Sequence, residues 1–404
     1  MNRLSFATCG GFVKTITFVL LLCFLCGHSF AAEPVFSDVF VAGEGGFPAI
    51  RIPSVVVAKN GTVLAFAEAR SAPHADQAAN KIVLKRSADD GRTWGAMQII
   101  AASGDNSLNN PTALVELDNG RIWLMYQRIP AHLKESSRQI ATGYEGTNIY
   151  RNFLIWSDDN GVTWSLPRDV TRSTKHPVGA TTVASGPGIG LELTRGPHQG
   201  RLIFPFNEGP FWHWNNYAVW SDDRGATWHC GENAPGARIR DANGRLRSQV
   251  NEVQMVELAD GSLRLNSRQF AGAKVRKTAV SQDGGETWSP ITDAPELRDP
   301  SCMASIIRYV FPGPGVKSRI LYSGPDSSKR ENGTVRISYD EGRTWPVKKV
   351  LFPGSFAYSV LTKLPGGTIG CLFETDGTDR MVFARFTLSW LEQKHPPSKL
   401  KPGN

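Results

Sequence analysis

Ser338-Tyr339-Asp340-Glu341-Gly342-Arg343-Thr344-Trp345 decides how this chain is read, because its pattern Ser-x-Asp-x-Gly-x-Thr-Trp recurs from Ser87, Ser157, Ser221 and Ser281. Five copies of a pattern with five fixed positions mark a repeat protein. The pattern is that of a hairpin turn. The Asp340 carboxylate can accept backbone N–H groups of its own turn, Gly342 permits a positive φ, and Thr344 and Trp345 start the outgoing strand. The Trp is expected to pack over that turn. The carboxylates could also be read as calcium ligands, but no copy has the twelve-residue spacing of an EF-hand loop.

The starts of the five copies are spaced by 70, 64, 60 and 57 residues. That is too long for a single hairpin and suits a four-stranded sheet with long loops, the size of a propeller blade. Another such step back from Ser87 leaves no room for a complete blade, so the 59 residues after Trp345 are expected to join a strand near residues 36–41 and close the ring. The expected fold is all-β, a six-bladed β-propeller with five marked blades and one closing blade.

Residues 1–31 carry Arg3 and Lys14, an apolar run over 16–26, and Ser29-Phe30-Ala31 with small residues at its outer positions. This is the pattern of a cleaved secretory signal. The run is about half the ~20 residues a spanning helix needs, so no stable membrane insertion is expected. Lipid attachment at Cys26 is disfavoured by Leu25, where lipoprotein signals carry a small residue. The protein is therefore expected to be secreted or periplasmic.

Residues 32–393 form one expected domain, followed by a tail at 394–404, rich in Pro and Lys and expected to be disordered. The even repeat spacing argues for one ring rather than several domains. Cys230, Cys302 and Cys371 remain after the signal, an odd count that gives no disulfide framework. The formal charge is +8 with no block of like charge, which removes a nucleic-acid arm and is compatible with an anionic substrate or simply with solubility.

Strand signals follow a turn-like glycine at Gly61, Gly120, Gly200, Gly261 and Gly367. There is no phosphate-binding glycine loop, no His-rich metal constellation and no Gly-x-Ser-x-Gly elbow, so no metal or cofactor is expected and nucleotide or serine hydrolysis is demoted. Ligands of propellers sit near the axis, where the innermost strands converge. The polar groups upstream of the turns are therefore the candidates: Arg51 inside an apolar strand, Arg70 and Asp76 after the strand 64–68, and Asn251-Glu252 opening a strand. Arg268 ends Leu265-Asn266-Ser267-Arg268, Arg330 precedes the strand 333–338, and Tyr358 and Glu374 belong to the last blade.

Taken together, these residues resemble the bacterial-type exo-α-sialidases (neuraminidases) with Asp-box, or BNR, repeats. The resemblance spans essentially the whole mature chain. It rests on Arg51-Ile52-Pro53, the five Asp-box turns, Asn251-Glu252, Leu265-Asn266-Ser267-Arg268, Ser323-Gly324-Pro325 leading to Arg330, Tyr358-Ser359, and Gly370-Cys371-Leu372-Phe373-Glu374. It implies that Arg51, Arg268 and Arg330 clamp the carboxylate of a sialic acid, that Glu374 orients Arg51, and that Arg70 is a further substrate-binding arginine near the rim. Guanidinium groups suit that task because their planar fork matches a carboxylate.

The resemblance also implies a nucleophile, a base and an acid. A sialoside bears its carboxylate on the anomeric carbon, so an anionic nucleophile would meet like charge, whereas tyrosine is neutral. Tyr358 would attack, Glu252 would take its proton, and Asp76 would protonate the leaving oxygen and later activate water. The implied partners are sialylated glycans of glycoproteins, glycolipids or oligosaccharides. Asn109-Asn110-Pro111 falls where the pocket for the N-acyl group is expected, and Trp212 and Trp214 could face sugars. Two other functions fit the same residues: a non-catalytic sialoglycan-binding propeller, and a trans-sialidase using the same site.

Overall fold

The computed structural model describes residues 32–393 except 241 and 273, and before them only 5, 7 and 10. Apart from those three positions, the expected signal segment lies outside the described residues, as does the expected tail from 394. The described chain is six sheets, antiparallel except where the short strand Gly188–Ile189 pairs in parallel with Ser107–Val115. Blade I comprises Ala49–Val57, Val63–Arg70, Lys81–Ser87 and Gln98–Ala101; blade II comprises Ser107–Val115, Ile122–Ile129, Arg151–Ser157 and Arg168–Asp169. Blade III is built on Thr182–Ser185, Leu202–Gly209, Asn215–Ser221 and His229–Cys230, and blade IV on Leu246–Glu257, Leu263–Phe270, Val275–Ser281 and Thr292–Arg298. Blade V contains Ser305–Val310, Arg319–Pro325, Glu331–Ser338 and Val347–Ser355.

Blade VI takes Ser359–Lys363, Ile369–Thr375 and Arg380–Phe386 from one end of the ring and Val35–Val41 from the other. Val35 pairs with Arg385 and Val41 with Arg380, so the N-terminal strand closes the ring where the spacing placed it. The N-terminal strand becomes the outermost strand of the last blade, so the two ends of the described chain are tied together in one sheet.

Each pair of neighbouring blades encloses its own hydrophobic cluster, six in all among the described residues. Both faces of a blade are therefore covered. The second strands Val63–Arg70 and Ile369–Thr375 are buried at every position, which is why they are mostly apolar rather than alternating until their last residues, where Glu68, Arg70 and Glu374 fall. The glycines at 61, 120, 200, 261 and 367 all have positive φ and lead into second strands.

All five repeats fall between the third and fourth strands of blades I to V, and their hydrogen bonds are alike. In the first, Ser87 Oγ donates to Asp89 Oδ1 (2.7 Å) and accepts from Gly91 N (2.8 Å), while Thr93 donates its N–H to Asp89 Oδ1 (2.9 Å) and its hydroxyl to Asp89 Oδ2 (2.7 Å). Gly91 is required twice over: φ is 79°, and a Cβ there would come within 2.3 Å of the Phe383 ring in blade VI. The tryptophans also reach the neighbouring blade: Trp345 lies near its own turn glycine, Gly342, while Trp94 packs edge-on against Phe383 and Trp164 against Phe66, each in the preceding blade.

Candidate active site

In blades I, II and IV the innermost strand breaks register against its neighbour, between Arg51 and Ser54, Asn109 and Thr112, and Val250 and Val253. A bulge re-aims side chains, and these three carry candidate residues to a common cavity. Its volume is about 360 Å³, and Arg51, Arg70, Asp76, Asn109, Asn110, Glu252, Arg268, Arg330 and Tyr358 all line it. Glu252 does not open a strand, as the sequence suggested; it sits mid-strand in Leu246–Glu257 at the bulge.

Blade closure fixes Arg51. Glu374, fully buried in blade VI, accepts from Arg51 Nε (3.2 Å), Arg51 Nη2 (2.9 Å) and the N–H of Ile52 (2.8 Å). Ile52 has φ 64°, an unfavourable conformation for a β-branched residue, and this carboxylate holds its N–H. Burial works against the Arg51 charge, but Glu374 outweighs it and keeps the guanidinium well above its ordinary pKa. Burial likewise pushes the Glu374 carboxyl up, and Arg51 reverses that to a net lowering.

Tyr358 stands at the centre of the three arginines. Its hydroxyl donates to Glu252 Oε1 (2.5 Å) and accepts from Arg268 Nη1 (2.7 Å), which also donates to Glu252 Oε2 (2.7 Å). The guanidinium carbons of Arg51 and Arg330 lie 5.5 and 5.3 Å from the Tyr358 ring centroid. Burial drives the phenol well above its ordinary pKa; Arg268, Arg330 and Arg51 pull it down and Glu252 pushes it up. The hydroxyl is thus a neutral group with an acceptor for its proton already in contact. Among the described residues both hydrogen bonds of the Arg268 side chain come from Nη1, and its Nε is buried without a partner.

Arg70 is not a rim residue, because only 2% of it is exposed. Glu68, two positions earlier on the same face of the strand, accepts from its Nε (3.0 Å) and Nη2 (2.9 Å), and Asp76 from its Nη1 (2.8 Å). Glu68 also accepts from the N–H of Asn110 (2.7 Å) in the bulge of blade II. Asp76 is the solvent-facing member, its side chain 69% exposed, on a loop pinned by Asn80 and Asn109 donating to its carbonyl (2.9 and 2.8 Å). Asn109, Asn110 and Trp214 line the cavity; Trp212 is exposed beside it, stacked edge-on against Phe270.

Sequence reasoning missed Glu68, Glu135, Tyr150 and Phe270. The signal for Glu68 was a carboxylate buried in an apolar strand. Glu135 and Tyr150 come from residues 130–150, which link two strands of blade II without regular structure and carry no periodicity. Burial raises the Glu135 carboxyl to about 7; the Trp214 N–H (3.3 Å) and Arg268 oppose this, and Glu252 and Asp76 add to it. A raised carboxyl pKa favours the folded state below the unfolded value of 4.5, and that contribution is lost as pH rises through 7. Glu135→Gln should therefore match the wild-type stability near pH 4 and exceed it at pH 8 by on the order of 3 kcal/mol, seen as a higher melting temperature. A melting series across pH 4–8 with a constant difference would contradict that.

No group of three or more His, Cys, Asp or Glu residues among those described is arranged to hold a metal. The family of the BNR repeat-like domain matches residues 53–371. A sialidase of Micromonospora viridifaciens is 36% identical over 378 residues, 89% of this chain and 55% of that one. An exo-alpha-sialidase of Aspergillus fumigatus is 30% identical over 383 residues, 86% of each. Among solved structures, the Hadza microbial sialidase Hz136 aligns with a TM-score of 0.75 at 28% identity, covering 88% of this chain and 69% of that one. The chain thus spans little more than half the length of the Micromonospora relative.

Proposed function

The chain belongs to the sialidase family with BNR repeats, and from that premise we propose that it is an exo-α-sialidase, a glycoside hydrolase releasing terminal α-linked sialic acid with retained configuration. The observation that carries this reading is the Tyr358 hydroxyl held 2.5 Å from Glu252 among three converging arginines. A binding module would need the arginines alone. The hydroxyl paired with a carboxylate is what double displacement requires.

Arg51, Arg268 and Arg330 hold the substrate carboxylate. Tyr358 Oη attacks the anomeric carbon as its proton passes to Glu252; the glycosidic C–O bond breaks and the leaving oxygen takes a proton from Asp76. In the second step Asp76 removes a proton from water, the water oxygen attacks the same carbon, the bond to Tyr358 breaks, and Glu252 returns the proton to the phenolate. Arg268, in contact with both Glu252 and Tyr358, stabilises the negative charge that moves between them. The substrates are sialylated glycoproteins, glycolipids or oligosaccharides, met outside the cytoplasm if residues 1–31 act as the export signal their pattern suggests.

Two variants separate the acid from the base. Asp76→Ala is expected to slow natural sialosides by roughly 10²–10⁴-fold and aryl sialosides far less, because a phenolate leaves without protonation. Glu252→Gln is expected to slow both classes alike, since neither substrate can replace the base for Tyr358. Equal losses on both substrates for Asp76→Ala would remove it from the acid's role.

A further inference from the structure

Two of the three arginines around Tyr358 have a carboxylate partner, Glu374 for Arg51 and Glu252 for Arg268. Arg330 has none among the described residues; its Nη2 donates to the backbone carbonyl of Ser301 (2.8 Å). The position of that carbonyl therefore decides where the guanidinium points. Ser301 itself has φ 60°, in the left-handed region that a serine does not prefer, so something must hold it.

What holds it is a buried ion pair. Asp299 and Arg276 are 2% and 1% exposed, with Arg276 Nη1 donating to Asp299 Oδ2 (3.1 Å). Asp299 Oδ1 accepts from the N–H of Cys302 (2.8 Å), and Arg276 Nη1 also donates to the carbonyl of Cys302 (2.7 Å), so the pair grips both backbone groups of the residue directly after Ser301. Asp299 Oδ2 further accepts from the N–H of Gln269 (2.6 Å), the residue after Arg268. Asn266 fixes Arg276 in turn through its side-chain and backbone oxygens (2.7 and 3.1 Å).

We propose that Asp299, clamped by Arg276, is a positioning residue for the carboxylate grip, setting the Ser301 carbonyl under Arg330 and the backbone beside Arg268 in one fixed relation. The inference rests on the reading of Arg268 and Arg330 as carboxylate-binding groups. A pair serving only to stabilise the core would affect every ligand through folding alone; a positioning pair affects ligands in proportion to their carboxylate.

The test compares Asp299→Asn with wild type, using a sialoside substrate and two inhibitors, 2,3-didehydro-2-deoxy-N-acetylneuraminic acid and its uncharged carboxamide, at temperatures well below each measured melting transition. Asparagine preserves the acceptor for Cys302 but turns an N–H donor toward Gln269 and Arg276. The expected result is a rise of roughly tenfold in KM with kcat nearly unchanged, because the grip is made in ground state and transition state alike. The acid inhibitor should weaken by the same factor and the carboxamide should not. Asp299→Glu, which restores the charge, should recover part of the loss. If Asp299→Asn does not fold, Arg276→Lys decides with the same ligands, since lysine keeps charge against Asp299 but loses the second contact to Cys302. Equal weakening of acid and carboxamide, or an unchanged KM in a folded variant, overturns the proposal. Failure of the wild type to prefer the acid over the carboxamide would instead overturn the carboxylate reading of the site.

Discussion

Tyr358→Phe is expected to lower kcat on a natural sialoside by about four orders of magnitude, with KM and the melting transition close to those of the wild type. The substitution removes one oxygen from a buried ring and nothing else. Glu252 Oε1 loses a donor, but Oε2 keeps Arg268 at 2.7 Å, so the carboxylate is not left unpaired. The ring continues to lie between Arg51 and Arg330. Arg268 loses the hydroxyl as an acceptor but keeps Glu252, so the three arginines stay in place and the sugar is expected to bind still. What disappears is the atom proposed to form the glycosyl–enzyme bond. A steady-state assay showing a loss below about tenfold would mean that another group attacks the anomeric carbon.

Arg330→Lys is the second large effect, and it falls on binding. Lysine keeps the charge but loses the planar fork, so a two-point contact with the substrate carboxylate becomes a point contact. Charge-assisted hydrogen bonds contribute about 1.5–3 kcal/mol each, so losing one or two corresponds to a KM increase of roughly 10²-fold. Because Arg330 is held by a carbonyl and not by a carboxylate, its removal leaves no buried acid unpaired among the described residues, and the fold should be unaffected. Substrate titration of the variant alongside its melting curve checks both halves; an unaltered KM would take Arg330 out of the grip.

The blades were legible because each turn needs particular atoms. Serine and aspartate oxygens must meet specific N–H groups, and glycine must supply both a positive φ and room for the next blade, so residue types cannot drift. The closing strand followed from counting residues against that spacing. The arginines, Glu252, Tyr358 and Glu374 were legible as charged or polar residues where apolar ones were expected, together with their resemblance to a known family. Their relation to one another came only with that resemblance, because it depends on bulges that no local pattern announces, such as the break that sets Glu252 in mid-strand.

Partners that act through space were the least visible. Glu68 lies two residues before Arg70 but owes its meaning to Asn110 in the next blade. Asp299 touches Gln269, Arg276 and Cys302, positions up to 30 residues away, and in sequence it is an ordinary Asp-Pro turn signal. Arg70 was placed near the rim by the resemblance alone. Burial of Glu68 draws it inward instead.

The central claim is a covalent bond between the sugar and Tyr358. Incubation with a 2,3-difluoro sialic acid should trap it, because fluorine destabilises the cationic transition states of both steps while the fluoride leaving group lets the first proceed. Peptide mass spectrometry of the digest is predicted to place one 3-fluorosialosyl group, formed by loss of the anomeric fluoride, on Tyr358 and to find none in Tyr358→Phe. An adduct on Asp76, Glu252 or any other residue would contradict the account.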